Sequence, residues 1–153
     1  MKSQLIAIVA AVLVVGCGPP KPPDISIHEA AKKGNIEAVK QHLAAGTDVN
    51  TTAYAEWTPL HNAAAWGGKE IAEFLISKGA NVNAKNNFDM TPLDVAVNNK
   101  KAMCANLLRK HGGKSGAADS IHLAARMGNI EAVKQHLTTG LDVNAKDKRL
   151  RKT

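Results

Sequence analysis

Two cysteines and five aromatic residues are all that this 153-residue chain carries of either kind. Two cysteines allow one internal disulfide at most and exclude both a disulfide-rich scaffold and a cysteine-only metal centre. The longest apolar run, Leu5 to Val15, rises about 16 Å as a helix, whereas a hydrocarbon layer needs roughly 30 Å; a permanent membrane span is the weaker reading of it. There is no glycine-rich phosphate loop and no nucleophile beside a base. No acid stands at metal-ligand spacing from His42 or His136 on the same helix. These absences argue against an enzyme, and no cofactor, metal or small-molecule substrate is expected.

Charge is lopsided instead. Twenty Lys and Arg against thirteen Asp and Glu leave a net charge of +7, or +6 once Lys2 leaves with the leader. The lysines are scattered as on solvated helix faces, and only Lys148 to Thr153 forms a basic block. Near an anionic membrane each such charge adds about 1 kcal/mol of attraction.

Met1-Lys2, the apolar run and then Val14-Val15-Gly16-Cys17 follow in the order of a secretory leader. This order resembles the lipobox of bacterial lipoprotein precursors. The resemblance implies that residues 1–16 are removed and that Cys17 becomes the acylated first residue. Cys104 would then have no disulfide partner. Residues 17–24, with Pro19, Pro20, Pro22 and Pro23, read as an extended tether. One acyl chain anchors only marginally, whereas two or three on Cys17 hold essentially permanently. Gly18, rather than Asp, follows the cysteine. By the same resemblance this implies the outer membrane, facing the periplasm, where nucleic acid is out of reach.

The rest of the chain repeats itself. Gly34 to Leu43 recurs unchanged as Gly128 to Leu137, Thr58-Pro59-Leu60-His61 returns as Thr91-Pro92-Leu93-Asp94, and Gly79-Ala80-Asn81-Val82-Asn83 echoes Gly46-Thr47-Asp48-Val49-Asn50. This pattern resembles the ankyrin repeat. It implies an all-α solenoid of helix-turn-helix units joined by short β-turn fingers, with about four repeats over 25–147: 25–57, 58–90, 91–118 and 119–147. Residues 148–153 are expected to form a disordered basic tail.

The residues of each unit agree. Thr58 is placed to cap a helix that Pro59 opens, and Ser26 and Glu29 have capping-box spacing. Leu60, Ala63 and Ala64 form a narrow apolar stripe. Gly67-Gly68 breaks the first helix, Lys69 to Lys78 makes the second with Ile71, Phe74, Leu75 and Ile76 inward, and left-handed Gly79 ends it. Such a pair cannot bury its apolar face alone, so stability must come from stacking.

Departures from the pattern carry further expectations. Gln41-His42 and Gln135-His136 replace paired apolar residues, as on the watered face of a capping repeat. Between units three and four the spacing contracts to 28 residues, and the junction Gly112 to Ala118 has no Asp-Val-Asn finger. Leu123, Ala124 and Ala125 nevertheless repeat the apolar stripe, so unit four is expected to stack on unit three. Glu56 and Asp89 stand where finger tips usually have glycine, and the first finger is expected to be reshaped. In Asn98-Asn99-Lys100-Lys101 an asparagine is expected to take the left-handed position. His61 and His122 occupy the site where the family bonds neighbouring loops, with Asp94 in the third unit. His111 lies at a helix end, where the dipole favours a cation. Cys104 aligns with Ile71 and reads as a buried thiol.

Of the aromatics, Phe74 belongs to the core. Tyr54, Trp57, Trp66 and Phe88 fall where ankyrin proteins commonly touch partners, as do Met90, Lys33, Ala65, Asn98 and Asn99; large aromatics are the usual anchors of interfaces. The chain reads as a membrane-tethered protein-binding module whose partner is an unidentified envelope protein. The competing reading is a truncated remnant without binding activity of its own.

Overall fold

A computed structural model describes residues 23–140. The leader, Cys17 and most of the tether, the chain from Leu141 onward and the basic run lie outside the described residues. Among the described residues eight α-helices follow in four pairs: α1 (Ile27–Lys33) and α2 (Ile36–Ala44), α3 (Pro59–Trp66) and α4 (Lys69–Ser77), α5 (Pro92–Asn98) and α6 (Ala102–Lys110), α7 (Ile121–Arg126) and α8 (Ile130–Thr138). Short 3-10 turns lie at Tyr54–Glu56 and Gly116–Ala118, and there is no strand among the described residues. None of these helices is long and apolar enough to cross a membrane. The fold is the ankyrin-type solenoid that the repeats imply.

Local chemistry sets the helix ends. Thr58 and Thr91 each accept the amide of the third helical residue, and Pro59 and Pro92 fill the first turn, where a missing N–H has no consequence. Gly67 closes α3 in the left-handed conformation, with φ 83°. Ser26 caps α1 as its spacing predicts, but the Glu29 carboxylate meets Lys32 and Lys33. The left-handed residue of the third unit is Lys100, at φ 56°; Asn99 has φ −89°. Lys100 stands one unit after Gly67, so the reversal keeps its place in the repeat and falls on the lysine.

The first three pairs stack in two rows, α1 on α3 on α5 and α2 on α4 on α6. Ala30, Ala31, Ala63, Ala64 and Ala96 let the inner helices approach closely, while Leu60, Ile71, Leu75, Cys104 and Leu108 fill the space between rows. All belong to one continuous core. Full burial of a leucine contributes about 1.5–3 kcal/mol, and each of these has its neighbour's pair on one side; cohesion is therefore collective. Phe74 and Ile76 pack on this core only partly buried.

The fourth pair is joined differently. Met90, Val95, Ala117, Leu123, Ala124 and Ala132 make a second, smaller core, against which Trp57, Ala65 and Val133 pack. Helix α7 rests on the Gly116–Ala118 turn and on α8; it does not lie along α5 as α5 lies along α3. The expected stacking is thus met only in part: Leu123 and Ala124 are buried, whereas Ala125 is exposed. The junction has seven residues from Gly112 to Ala118 where the previous one, Gly79 to Met90, has twelve, too few to carry α7 into the regular position.

His42 departs from the expected watered cap. It is buried, and its Nε2 lies 2.6 Å from the Ile25 carbonyl. It occupies the site of Leu75 and Leu108, so the ring faces the core and holds the incoming chain by its polar edge. His136 repeats this with the Ala117 carbonyl at 3.1 Å and stays half-exposed.

Candidate interaction surface

Two ladders of hydrogen bonds hold the fingers in register. In the first, Asn50 donates to the Gly79 carbonyl at 3.2 Å and accepts the Asn81 amide at 2.7 Å. Asn83 does the same to Gly112 and Lys114, at 3.1 and 2.7 Å. The asparagine of Asp-Val-Asn is therefore a cross-brace between consecutive units. In the second ladder, His61 is wholly buried. Its Nδ1 accepts the Thr58 amide at 3.2 Å and its Nε2–H donates to the Met90 carbonyl at 3.0 Å. Burial pushes the His61 imidazole below its ordinary value, against the opposing pull of the Met90 carbonyl and the Asp94 charge.

Asp94 holds the same place one unit on with reversed polarity. Its carboxylate accepts the Thr91 amide at 2.9 Å, the Ser115 hydroxyl at 2.5 Å and the Gly116 amide at 2.7 Å. His122 does not repeat the buried role of His61. It is exposed and lines a groove of about 160 Å³ with Phe88, Asp89 and Arg126. Its helix is capped one residue later than in the Thr58 register, by Ser120.

Both finger tips turn through left-handed residues. Asp89 has φ 59°, and the first finger has two in succession, Ala55 at 57° and Glu56 at 58°. The expected reshaping is this second residue. It aims the Ala55 carbonyl at the Asn87 amide, 3.0 Å away, and tip is tied to tip. Tyr54 stands on that finger 94 % exposed.

The sequence-derived candidates separate into two groups. Tyr54, Trp66 and Phe88 are exposed, together with Lys33, Asn98 and Asn99, on fingers and on the ends of inner helices. Met90 is buried, and Trp57 is half-buried with its ring 5.8 Å from that of His61. The fourth pair and the shared finger backbone cover Met90, so it supports the surface from beneath. Lys32 places its ammonium 5.4 Å above the Trp66 ring, and Arg126 its guanidinium 5.4 Å above Phe88. Cys104 is fully buried, and burial pushes its thiol up. Among the described residues there is no cluster of three or more His, Cys, Asp or Glu that could hold a metal.

Lys100, Lys101, Met103 and Arg126 were not among the expected contact residues, although the Asn98–Lys101 loop stood out for lacking glycine. For Lys100 a signal existed: it aligns with Gly34, Gly67 and Gly128, and a lysine in a glycine position is an anomaly with a structural meaning. For Met103 and Arg126 it did not.

Comparison with known proteins adds to this geometry. A family model described as ankyrin repeats (3 copies) matches residues 27–119. Protein phosphatase 1 regulatory subunit 12A of Mus musculus is 41% identical over 71 residues, covering 46% of this chain and 7% of that protein. Protein phosphatase 1 regulatory subunit 27 of Homo sapiens is 41% identical over 70 residues, 46% of each chain. Myotrophin of Xenopus tropicalis is 48% identical over 52 residues, 34% of this chain and 44% of that one. The chain spans less than half the length of each of these relatives.

Proposed function

This chain belongs to the ankyrin-repeat family, and from that premise we propose that it is a lipid-tethered binding module of a bacterial cell envelope. Ankyrin repeats bind protein partners, and the coarse function of the chain follows from the family. The finer reading divides it into a leader (1–16), an acylated Cys17 with its proline-rich tether (17–24), the array (25–147) and a basic tail (148–153). Val14-Val15-Gly16-Cys17, closing an apolar run too short to span, supports the tether. Gly18 in the next position supports the periplasmic face of the outer membrane. Confinement at a surface raises the local concentration of module and partner together.

The observation that carries the binding role is the exposure of Tyr54, Trp66 and Phe88 on braced fingers and inner helices. Tyr54, almost wholly in water, adds little to folding, and large aromatics on a surface are what interface centres use. The relatives named as regulatory subunits of a phosphatase support binding over catalysis.

Two measurements test this. The wild-type chain is expected in the membrane fraction with Cys17 acylated, and Cys17→Ser in the soluble fraction; a Cys17→Ser chain that still sediments with membranes overturns the tether. Capture of envelope proteins is expected from wild type and not from Tyr54→Ala/Trp66→Ala/Phe88→Ala. Equal capture by both removes the aromatic surface.

A further inference from the structure

Trp66 is 59 % exposed and forms one wall of an open groove of about 270 Å³, completed by Lys100, Lys101 and Met103. Met103 is 69 % exposed, so the groove has apolar walls with cations on the rim. The aliphatic stem of Lys101 runs beside Gly67, close enough that a Cβ there would come within 3.1 Å of it. Lys32 stands over the indole ring, 5.4 Å from its centroid, and its near carboxylate, Glu29, is shared with Lys33 at 3.7 and 3.3 Å. One acid therefore serves two lysines, and Lys100 and Lys101 add two further cations along the groove that Trp66 walls.

Lys100 is also where the backbone is strained. At φ 56° it holds a conformation that Gly34, Gly67 and Gly128 adopt at the matching positions without penalty. A lysine kept where glycine folds better is strain of the kind that clusters at ligand sites.

We propose that this groove receives an acidic segment of the protein partner, with carboxylates meeting Lys32, Lys100 and Lys101 and apolar side chains lying on Trp66 and Met103. The inference rests on the binding-module reading and adds the chemistry of the partner to it. Cations beside an indole and a thioether select carboxylates interspersed with apolar residues, and repel a basic segment.

The test titrates the full chain, in mild detergent, with a synthetic peptide of alternating glutamate and leucine and with its lysine–leucine counterpart. The glutamate peptide is expected to bind, more weakly as salt is raised. Lys100→Gly is expected to weaken it by up to about fivefold, the worth of one exposed ion pair, while raising the urea midpoint by removing the strain. Loss of affinity with gain of stability separates a recognition role from a structural one. Trp66→Ala is expected to lose more than any single lysine, and Lys110→Ala, on the outer helix α6, to lose nothing. Equal binding of the lysine peptide, unchanged binding by Lys100→Gly, or an equal loss in Lys110→Ala overturns the proposal. So does the absence of glutamate-peptide binding at low salt. If the groove fails while the wild-type chain still captures envelope protein through Tyr54 and Phe88, the binding-module reading stands without this site.

Discussion

The carboxylate of Asp94 accepts the backbone N–H of Gly116 at 2.7 Å, where His61, one unit earlier, donates to the carbonyl of Met90 at 3.0 Å. The same brace between an inner helix and the next loop is thus built with donor and acceptor exchanged. The exchange fits the contracted junction, which turns an amide rather than a carbonyl toward the helix start. No side chain fits at Gly116, because a Cβ there would collide with the Asp89 carbonyl.

Replacing Asp94 with Ala strands the buried amides of Thr91 and Gly116. The expected loss is about 2–4 kcal/mol in urea denaturation. Asp94→His is expected to fare no better, since its ring N–H would face another N–H. Gly116→Ala is expected to loosen the fourth pair, read as faster amide exchange in α7.

Acid is expected to destabilise the fold through its buried imidazoles. Burial pushes His61 below its ordinary value, and it does the same to the half-buried His28 at the start of α1, whose Nε2 lies 3.1 Å from the Thr51 carbonyl. The unfolded chain then binds protons before the folded one does, so stability is complete above about pH 6.5 and falls as pH drops through and below it. Urea midpoints between about pH 8 and pH 5 check this. His61→Gln is expected to be less stable and to show a shallower fall.

Cys104 is expected to resist thiol reagents until the stack opens. Its side chain is fully buried and its thiol is pushed up, so thiolate and access are both scarce. In a Cys17→Ser chain the rate of labelling should track the population unfolded by urea. Fast labelling in native buffer would contradict the packing at the seam of units two and three.

Ten identical residues in two settings provide an internal control. Ile36 and Leu43 pack on the main core, while their copies Ile130 and Leu137 are 69 % and 43 % exposed. Intrinsic exchange rates for the two segments are the same. Amides of α2 are therefore expected to be protected far longer than those of α8, by the free energy that stacking supplies. Equal protection would mean that the fourth pair is held as firmly as the first.

The family, the helix pairs, the threonine caps and the alanine stripe were legible because each depends on residues close in sequence or on a repeated spacing. The role of Asn50 and Asn83 as cross-braces was not, since their partners lie about a unit away and no pattern names a backbone acceptor. His42 misled for a physical reason: a polar residue at a core position reads as a watered face, whereas its ring nitrogen satisfies the Ile25 carbonyl inside. Lys100 was passed over because asparagine tolerates positive φ better than lysine does, yet the reversal keeps the place that Gly67 has one unit earlier. Met90 looked like its exposed neighbours, and only the three-dimensional docking of the fourth pair buries it.

Photo-crosslinking in living cells tests most directly where a partner sits. A photoreactive residue at Trp66, on the face of exposed aromatics, is expected to yield a discrete protein adduct, and one at Ser77, exposed on the outer helix α4, is expected to yield none. Adducts from Ser77 and none from Trp66 would contradict the assignment of this face as the binding surface.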